Sequence, residues 1–247
     1  MKKTLIVIGL LLSAVVNADE FNSARHKVSL LELYTSEGCS SCPPAESWLS
    51  RLKQQQASSE SLVALAFHVS YWDYLGWKDP FSSSTYDLRQ RTKVKQQGGR
   101  TVYTPQFFFN GKTLRSTAFF SNQVQQAAKS DAALSIKAEL TDMDTELLLS
   151  VAIKPLDTKL GDQLRLNVAL YQNDITSSIK AGENKGRVAL HQYVVRDLQA
   201  AVISINQPEP SRFKFKKAQQ QWHGMVIFVE SETEVLQVLE IVLKKRT

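Results

Sequence analysis

Hydrophobic and polar positions fall into two textures along the chain. Between residues 27 and 130, short apolar runs alternate with polar stretches in the α/β manner. Val28–Tyr34 is an apolar run carrying one acid, as a central strand does, and Leu62–Val69 is a second buried strand. Between them Trp48, Leu49 and Leu52 recur at helical spacing behind Pro43-Pro44. Proline is tolerated in a first helical turn because the N–H groups there have no partner. Thr85–Gln97 predicts a polar helix that Gly98-Gly99 breaks. Phe107–Phe109 predicts a strand, Asn110-Gly111 a two-residue hairpin turn, and Asn122–Lys129 a short closing helix.

From residue 131 onward the period changes. Leu134–Leu140, Glu146–Ile153, Leu164–Gln172 and Met225–Glu230 alternate apolar and polar side chains, the pattern of half-buried antiparallel strands. Asp142–Asp144 and Pro155–Gly161 read as turns, and Gln207–Ser211 as a loop. Glu232–Leu243 predicts a final amphipathic helix, with Val235, Leu236, Val238, Leu239 and Val242 apolar. Residues 131–247 are therefore expected to form a β-rich, sandwich-like accessory domain beside an α/β domain at 27–130.

The N-terminus reads as a secretory signal over residues 1–18. Lys2 and Lys3 precede the apolar run Thr4–Val16, and Val16-Asn17-Ala18 is a small-residue cleavage site before Asp19 and Glu20. The run is shorter than the roughly 20 residues of a membrane span. The expected location is periplasmic or secreted, with membrane contact only through the signal segment during export. The formal charge is +6. Residues 1–18 hold two Lys and no acid, leaving +4 on the remainder. Basic clusters occur at Arg212–Lys217 and Lys244-Lys245-Arg246, without a nucleic-acid-binding motif, so no nucleic-acid partner is expected.

Cys39 and Cys42 are the two cysteines of the 247-residue chain. C-x-x-C between a strand and a helix is the layout of a dithiol–disulfide site. An exported pair is expected to be oxidised at rest. At a helix N-terminus the macrodipole favours a thiolate, which gives Cys39 the attacking role and Cys42 the resolving one. Ser40 and Ser41 can donate to a sulfur, whereas Glu37 and Glu46 oppose a thiolate if they lie near it.

Other residues offer chemistry. His68 ends the second strand and could join Cys39 and Cys42 in a site for a soft metal such as Cu(I). Tyr71, Trp72, Tyr74 and Trp77, in the aromatic loop Ser70–Phe81, could line a groove for a peptide or small ligand. His191 and His223 lack ligand spacing and read as structural or surface residues. Gly182–Arg187 lacks the G-K-[ST] ending of a phosphate loop and reads as a turn between strands.

The first part of the chain resembles the thioredoxin-like fold. C-x-x-C follows a strand and opens a helix, and Thr104-Pro105 precedes a strand and an Asn-Gly hairpin. More narrowly, the chain resembles an uncharacterised bacterial family of secreted thioredoxin-like proteins, known as a domain of unknown function. Leu33–Pro44, His68–Phe81, Val102–Gln106 and Gly182–Arg196 carry that likeness. The resemblance implies a cis bond before Pro105, with the Thr104 backbone open to a substrate strand. The chain departs from the thioredoxin pattern in Gly38 before the first cysteine and in the Ser40-Ser41 dipeptide.

Three functions compete. The first is an exported thiol–disulfide oxidoreductase, with no cofactor, acting on a protein or small-molecule thiol or disulfide. The second is a binding module stapled by a static disulfide. The third is copper or metal handling through Cys39, Cys42 and His68.

Overall fold

Apolar strands buried on both faces organise the fold. The structure, a computed structural model, describes residues 18–55, 60–207, 209–217 and 222–243. The signal segment lies outside these residues except for Ala18, and so does Lys244–Arg246. The strands are β1 (Asp19–Asn22), β2 (Ser29–Thr35), β3 (Leu62–His68), β4 (Gln106–Phe109), β5 (Lys112–Leu114), β6 (Leu134–Asp142) and β7 (Glu146–Pro155). They continue with β8 (Gln163–Gln172), β9 (Ile175–Ser178), β10 (Val188–His191), β11 (Val194–Ser204), β12 (Ser211–Lys216), β13 (Gly224–Glu230) and β14 (Val235–Val242). The α-helices are α1 (Pro43–Gln55), α2 (Ser84–Gln96) and α3 (Phe120–Ala128).

Eight strands form one mixed sheet in the order β14-β13-β8-β11-β3-β2-β4-β5. β2 and β3 pair in parallel, and β11 joins β3 in parallel at Val194 and Ala66. The remaining pairs of this sheet are antiparallel. A second sheet has the order β1-β6-β7-β12, and β9 and β10 make a separate ribbon.

Side-chain alternation sorts three cores. Leu31 and Leu33 of β2, with Ala64 and Ala66 of β3, meet Leu49 of α1 and Val124 of α3 on one face. Farther along, the second sheet covers that face through Ile136, Leu149 and Phe215 against Leu166, Val168 and Ile227. The opposite face buries Tyr34, Phe67, Phe108, Ala169 and Phe228 together with Tyr86 and Val94 of α2.

The expected α/β thioredoxin-like class is overturned. Strand makes up 45% of the described residues and helix 17%, with three α-helices among them, so the fold is β-rich. The local alternation over residues 27–130 is present. However, the open edge of β3 is filled by β11, and the sheet runs on through antiparallel β8, β13 and β14. A local pattern does not encode such distant neighbours.

The C-terminal helix expected over Glu232–Leu243 is also a strand, β14. Its register shifts against β13 between Val229 and Glu230. Val235 and Val238 therefore face one core while Leu236, Leu239 and Ile241 face the other. A bulge that switches the alternation reproduces i, i+3, i+4 spacing and so mimics a helix. The basic cluster at Arg212–Lys217 contains β12, whose Phe213 and Phe215 are buried while Lys214 and Lys216 are exposed.

Helix α2 docks through charge. Arg89 makes a bidentate pair with Glu230 at 2.9 and 3.0 Å and bonds Glu32 of β2 at 3.0 Å. Lys93, one turn on, lies 3.1 Å from each of the same two carboxylates. All four side chains are buried. Burial pushes the Glu230 carboxyl up, but Arg89 and Lys93 outweigh it and hold the group at about 2. Such a network is worth most by comparison with its own fragments, since removing one partner leaves a buried charge uncompensated.

Candidate functional site around the Cys39–Cys42 disulfide

The parallel register of β2 and β3 sets Thr35 beside His68, so the loop after β2 and the end of β3 emerge together. That loop, Ser36–Ser41, leads into α1. Cys39 and Cys42 are joined as a disulfide with Cα atoms 5.4 Å apart. The Cys42 carbonyl accepts from the N–H groups of Ala45 and Glu46, which starts the helix. Cys39 is 3% exposed and Cys42 is fully buried, while Ser40 and Ser41 are exposed.

The loop is held from several directions. Asn184, in the turn between β9 and β10, donates to the Glu37 and Cys39 carbonyls at 2.8 and 2.9 Å. Glu183 accepts from the Ser40 N–H at 3.3 Å. Asp79 accepts from the Glu37 N–H at 2.8 Å. Gly38 fits because Trp72 presses on it: a Cβ there would stand 3.2 Å from Trp72 Cβ and 3.3 Å from its carbonyl oxygen.

The Thr104–Pro105 bond is cis. Ser41 Oγ lies 3.4 Å from Cys39 Sγ and donates to the Thr104 carbonyl at 3.4 Å. The disulfide and Thr104-Pro105 are therefore neighbours. Trp72 donates its indole N–H to Thr104 Oγ1 at 2.7 Å. Trp77 donates to Glu37 Oε2 at 2.6 Å, and Tyr71 to Gln90 at 3.1 Å. Tyr74 is 77% exposed and stacks on Trp72. Three of the four loop aromatics thus spend their polar tips on the protein, and Tyr74 presents its ring outward.

Behind the disulfide lies a buried polar cluster. His68 Nδ1 is 2.7 Å from Asp79 Oδ2. His191, the last residue of β10, sets Nε2 2.9 Å from Glu37 Oε1, and Nδ1 stands 3.1 Å from Glu46 Oε2 of α1. Thr35 donates to the other Glu46 oxygen at 2.6 Å. The two imidazoles meet edge to face at 5.0 Å, and Phe81 closes on both rings. Burial pushes the His191 ring down, but Glu37 and Glu46 reverse this and lift it to about 10. Burial likewise raises the Glu46 and Asp79 carboxyls, and the imidazoles hold both below the ordinary range.

His68 stands in this cluster, facing His191 and Glu46. In the oxidised pair neither sulfur is a thiolate, the form that binds soft metals. Sequence reasoning missed His191, Glu37, Asp79 and Asn184 as members of one site. No spacing rule links positions 37, 79, 184 and 191. The likeness carried by Gly182–Arg196 touched the right segment without pointing to the histidine.

No curated protein matches the chain. A crystal structure of protein AGR_C_4864 from Agrobacterium tumefaciens is similar to it, at 20% identity and a TM-score of 0.64, over 91% of this chain and 98% of that one. HBP35 of Porphyromonas gingivalis is similar at 14% identity and a TM-score of 0.66, over 90% of this chain and 76% of that one. At these identities the likeness shows the fold alone. A family model described as "Protein of unknown function (DUF1223)" matches residues 30–230. By that match over most of its length, the chain belongs to the DUF1223 family.

Proposed function

We propose that Cys39 and Cys42 exchange disulfides with a protein or small-molecule thiol outside the cytoplasm, where the signal at residues 1–18 would deliver them. The observation that carries this reading is the position of the pair, at the start of α1 beside exposed Ser40 and Ser41. A bond closing so short a loop is a weak staple. Cross-linking residues three apart stabilises by about 2 kcal/mol, against about 3 kcal/mol for a 15-residue loop. The helix N-terminus favours a thiolate once the bond opens.

The electron count closes with thiols alone. A substrate thiolate attacks Cys39 Sγ, forming a mixed disulfide and expelling the Cys42 thiolate. A second substrate thiolate then attacks the substrate sulfur of that mixed disulfide and releases Cys39. The substrate leaves oxidised by two electrons and the pair is reduced. Run backwards, Cys39 attacks a substrate disulfide and Cys42 resolves it. Thr104 and Pro105 border the sulfurs, and Tyr74 offers a ring for an incoming chain.

Equilibration in glutathione buffers, read by thiol alkylation, tests the proposal. The expected midpoint lies between about −270 and −120 mV. Cys39→Ser is expected to abolish exchange and Cys42→Ser to accumulate mixed disulfides. A pair still oxidised below about −300 mV is a structural bond and ends the exchange reading.

That outcome favours the second reading, a binding module with a static disulfide. The buried sulfurs and the two Asn184 bonds into the loop support it.

A further inference from the structure

We propose that Glu46, His68 and His191 form a binding site for a divalent transition metal, with Zn2+ the best fit. This goes beyond the exchange reading and uses neither sulfur. Among the described residues, these three side chains bring one ligand atom each to within 4.8 Å of one another. Two imidazoles and a carboxylate are the donor set of a zinc site that leaves a position open.

The orientation of the rings carries the argument. His68 Nδ1 is taken by Asp79 and His191 Nε2 by Glu37. The nitrogens left for an ion are His68 Nε2 and His191 Nδ1. Both are buried: His68 Nε2 has no hydrogen-bond partner, and His191 Nδ1 faces Glu46 Oε2 at 3.1 Å, so an ion there would replace the proton between them. An orphaned buried polar atom has an energetic cost that a ligand would remove. Each imidazole also turns its far nitrogen to a buried carboxylate, the arrangement that fixes the tautomer and orientation of a metal-bound histidine.

Distances and space agree. Ligand atoms about 2.0–2.1 Å from a tetrahedral ion stand about 3.3 Å apart. His191 Nδ1 and Glu46 Oε2 are already 3.1 Å apart. With no pair beyond 4.8 Å, closing the set needs movements of no more than about 1.5 Å. Glu46 and His191 also line a cleft of about 270 Å³ between α1 and the β9–β10 ribbon, which leaves room for water as a fourth ligand.

Chelator-stripped, oxidised full chain titrated with Zn2+ by calorimetry, and with Co2+ by visible absorption, tests the site. One ion per chain and a tetrahedral Co2+ spectrum are expected. Glu46→Gln and His191→Gln should each weaken binding at least tenfold. Glu37→Gln, which alters the partner of His191 Nε2 and not a ligand atom, should weaken it about 10- to 100-fold. The Cys39→Ser/Cys42→Ser variant should bind Zn2+ as the wild type does, whatever becomes of exchange. No saturable binding, or binding that survives Glu46→Gln, overturns the proposal. So does binding lost with the cysteines. If His191→Gln does not fold, as judged by near-ultraviolet dichroism, Glu46→Gln decides, because that side chain sits at the edge of the cleft.

Discussion

Asn184 shows how one side chain beyond any motif governs the disulfide loop. It satisfies two buried carbonyls, of Glu37 and Cys39, from the far ribbon. Asn184→Ala leaves the Glu37 carbonyl unpaired and the Cys39 carbonyl with the Cys42 N–H alone, and an orphaned buried acceptor costs about 1–3 kcal/mol. Urea denaturation should register a loss in that range, with the Cys39–Cys42 bond more readily reduced by glutathione. The cysteine pair itself was legible, because C-x-x-C with helical spacing behind it is a local signal. The partners of the loop were not. Asn184 looked like a turn residue and His191 like a structural one, since nothing in their neighbourhood encodes position 37. Gly38 read only as a departure from a thioredoxin pattern. Its reason is Trp72, whose backbone and Cβ leave no comfortable room for a side chain there.

At the scale of elements, α2 contrasts with α1. The start of α1 was readable from Pro43-Pro44 and from apolar positions 48, 49 and 52. The sequence read α2 only as a polar helix, yet Arg89, Gln90 and Lys93 are buried in it. Its apolar contribution is small, so ionic contacts to Glu32 and Glu230 anchor it. Arg89→Met removes the shared cation and leaves two buried carboxylates with Lys93 alone. A loss of about 3–5 kcal/mol in chemical denaturation is expected. A loss under about 1 kcal/mol, the range of exposed pairs, would show that the network is not buried in solution. β14 was misread as a helix because its bulge switches core-facing positions midway. Period counting assumes an unbroken register, which a bulge violates.

Across the whole molecule, acid should weaken the fold through this network. Glu32 and Glu230 are both held below the ordinary carboxylate range, Glu230 at about 2. An unfolded glutamate titrates near 4.3. A depressed folded value contributes stability that is fully present above the unfolded value and fades as pH falls toward the folded one. The unfolding free energy should therefore drop between about pH 4.5 and pH 2. Glu230→Gln should make that fall shallower, and an equal slope in both proteins would remove Glu230 as its source. The sheet gives this local event a wide reach, because Glu32 lies on β2 and Glu230 on β13, four strands away in the order β13-β8-β11-β3-β2.

By itself the sequence determined the central strands β2 and β3, the helix behind the cysteines, the Asn110-Gly111 hairpin and the strands β6, β7, β8 and β13, of which β13 is buried on both faces and not half-buried. Each is written in residues near one another, through period, proline placement or turn chemistry. Only the tertiary structure decided that β11 closes on β3, that eight strands share one sheet and that the fold is β-rich. It also decided that Glu37, Glu46, His68, Asp79 and His191 meet behind the disulfide. Strand pairing joins backbones whatever their separation along the chain, and a buried charge needs a partner only in space. Neither leaves a periodic trace in one sequence.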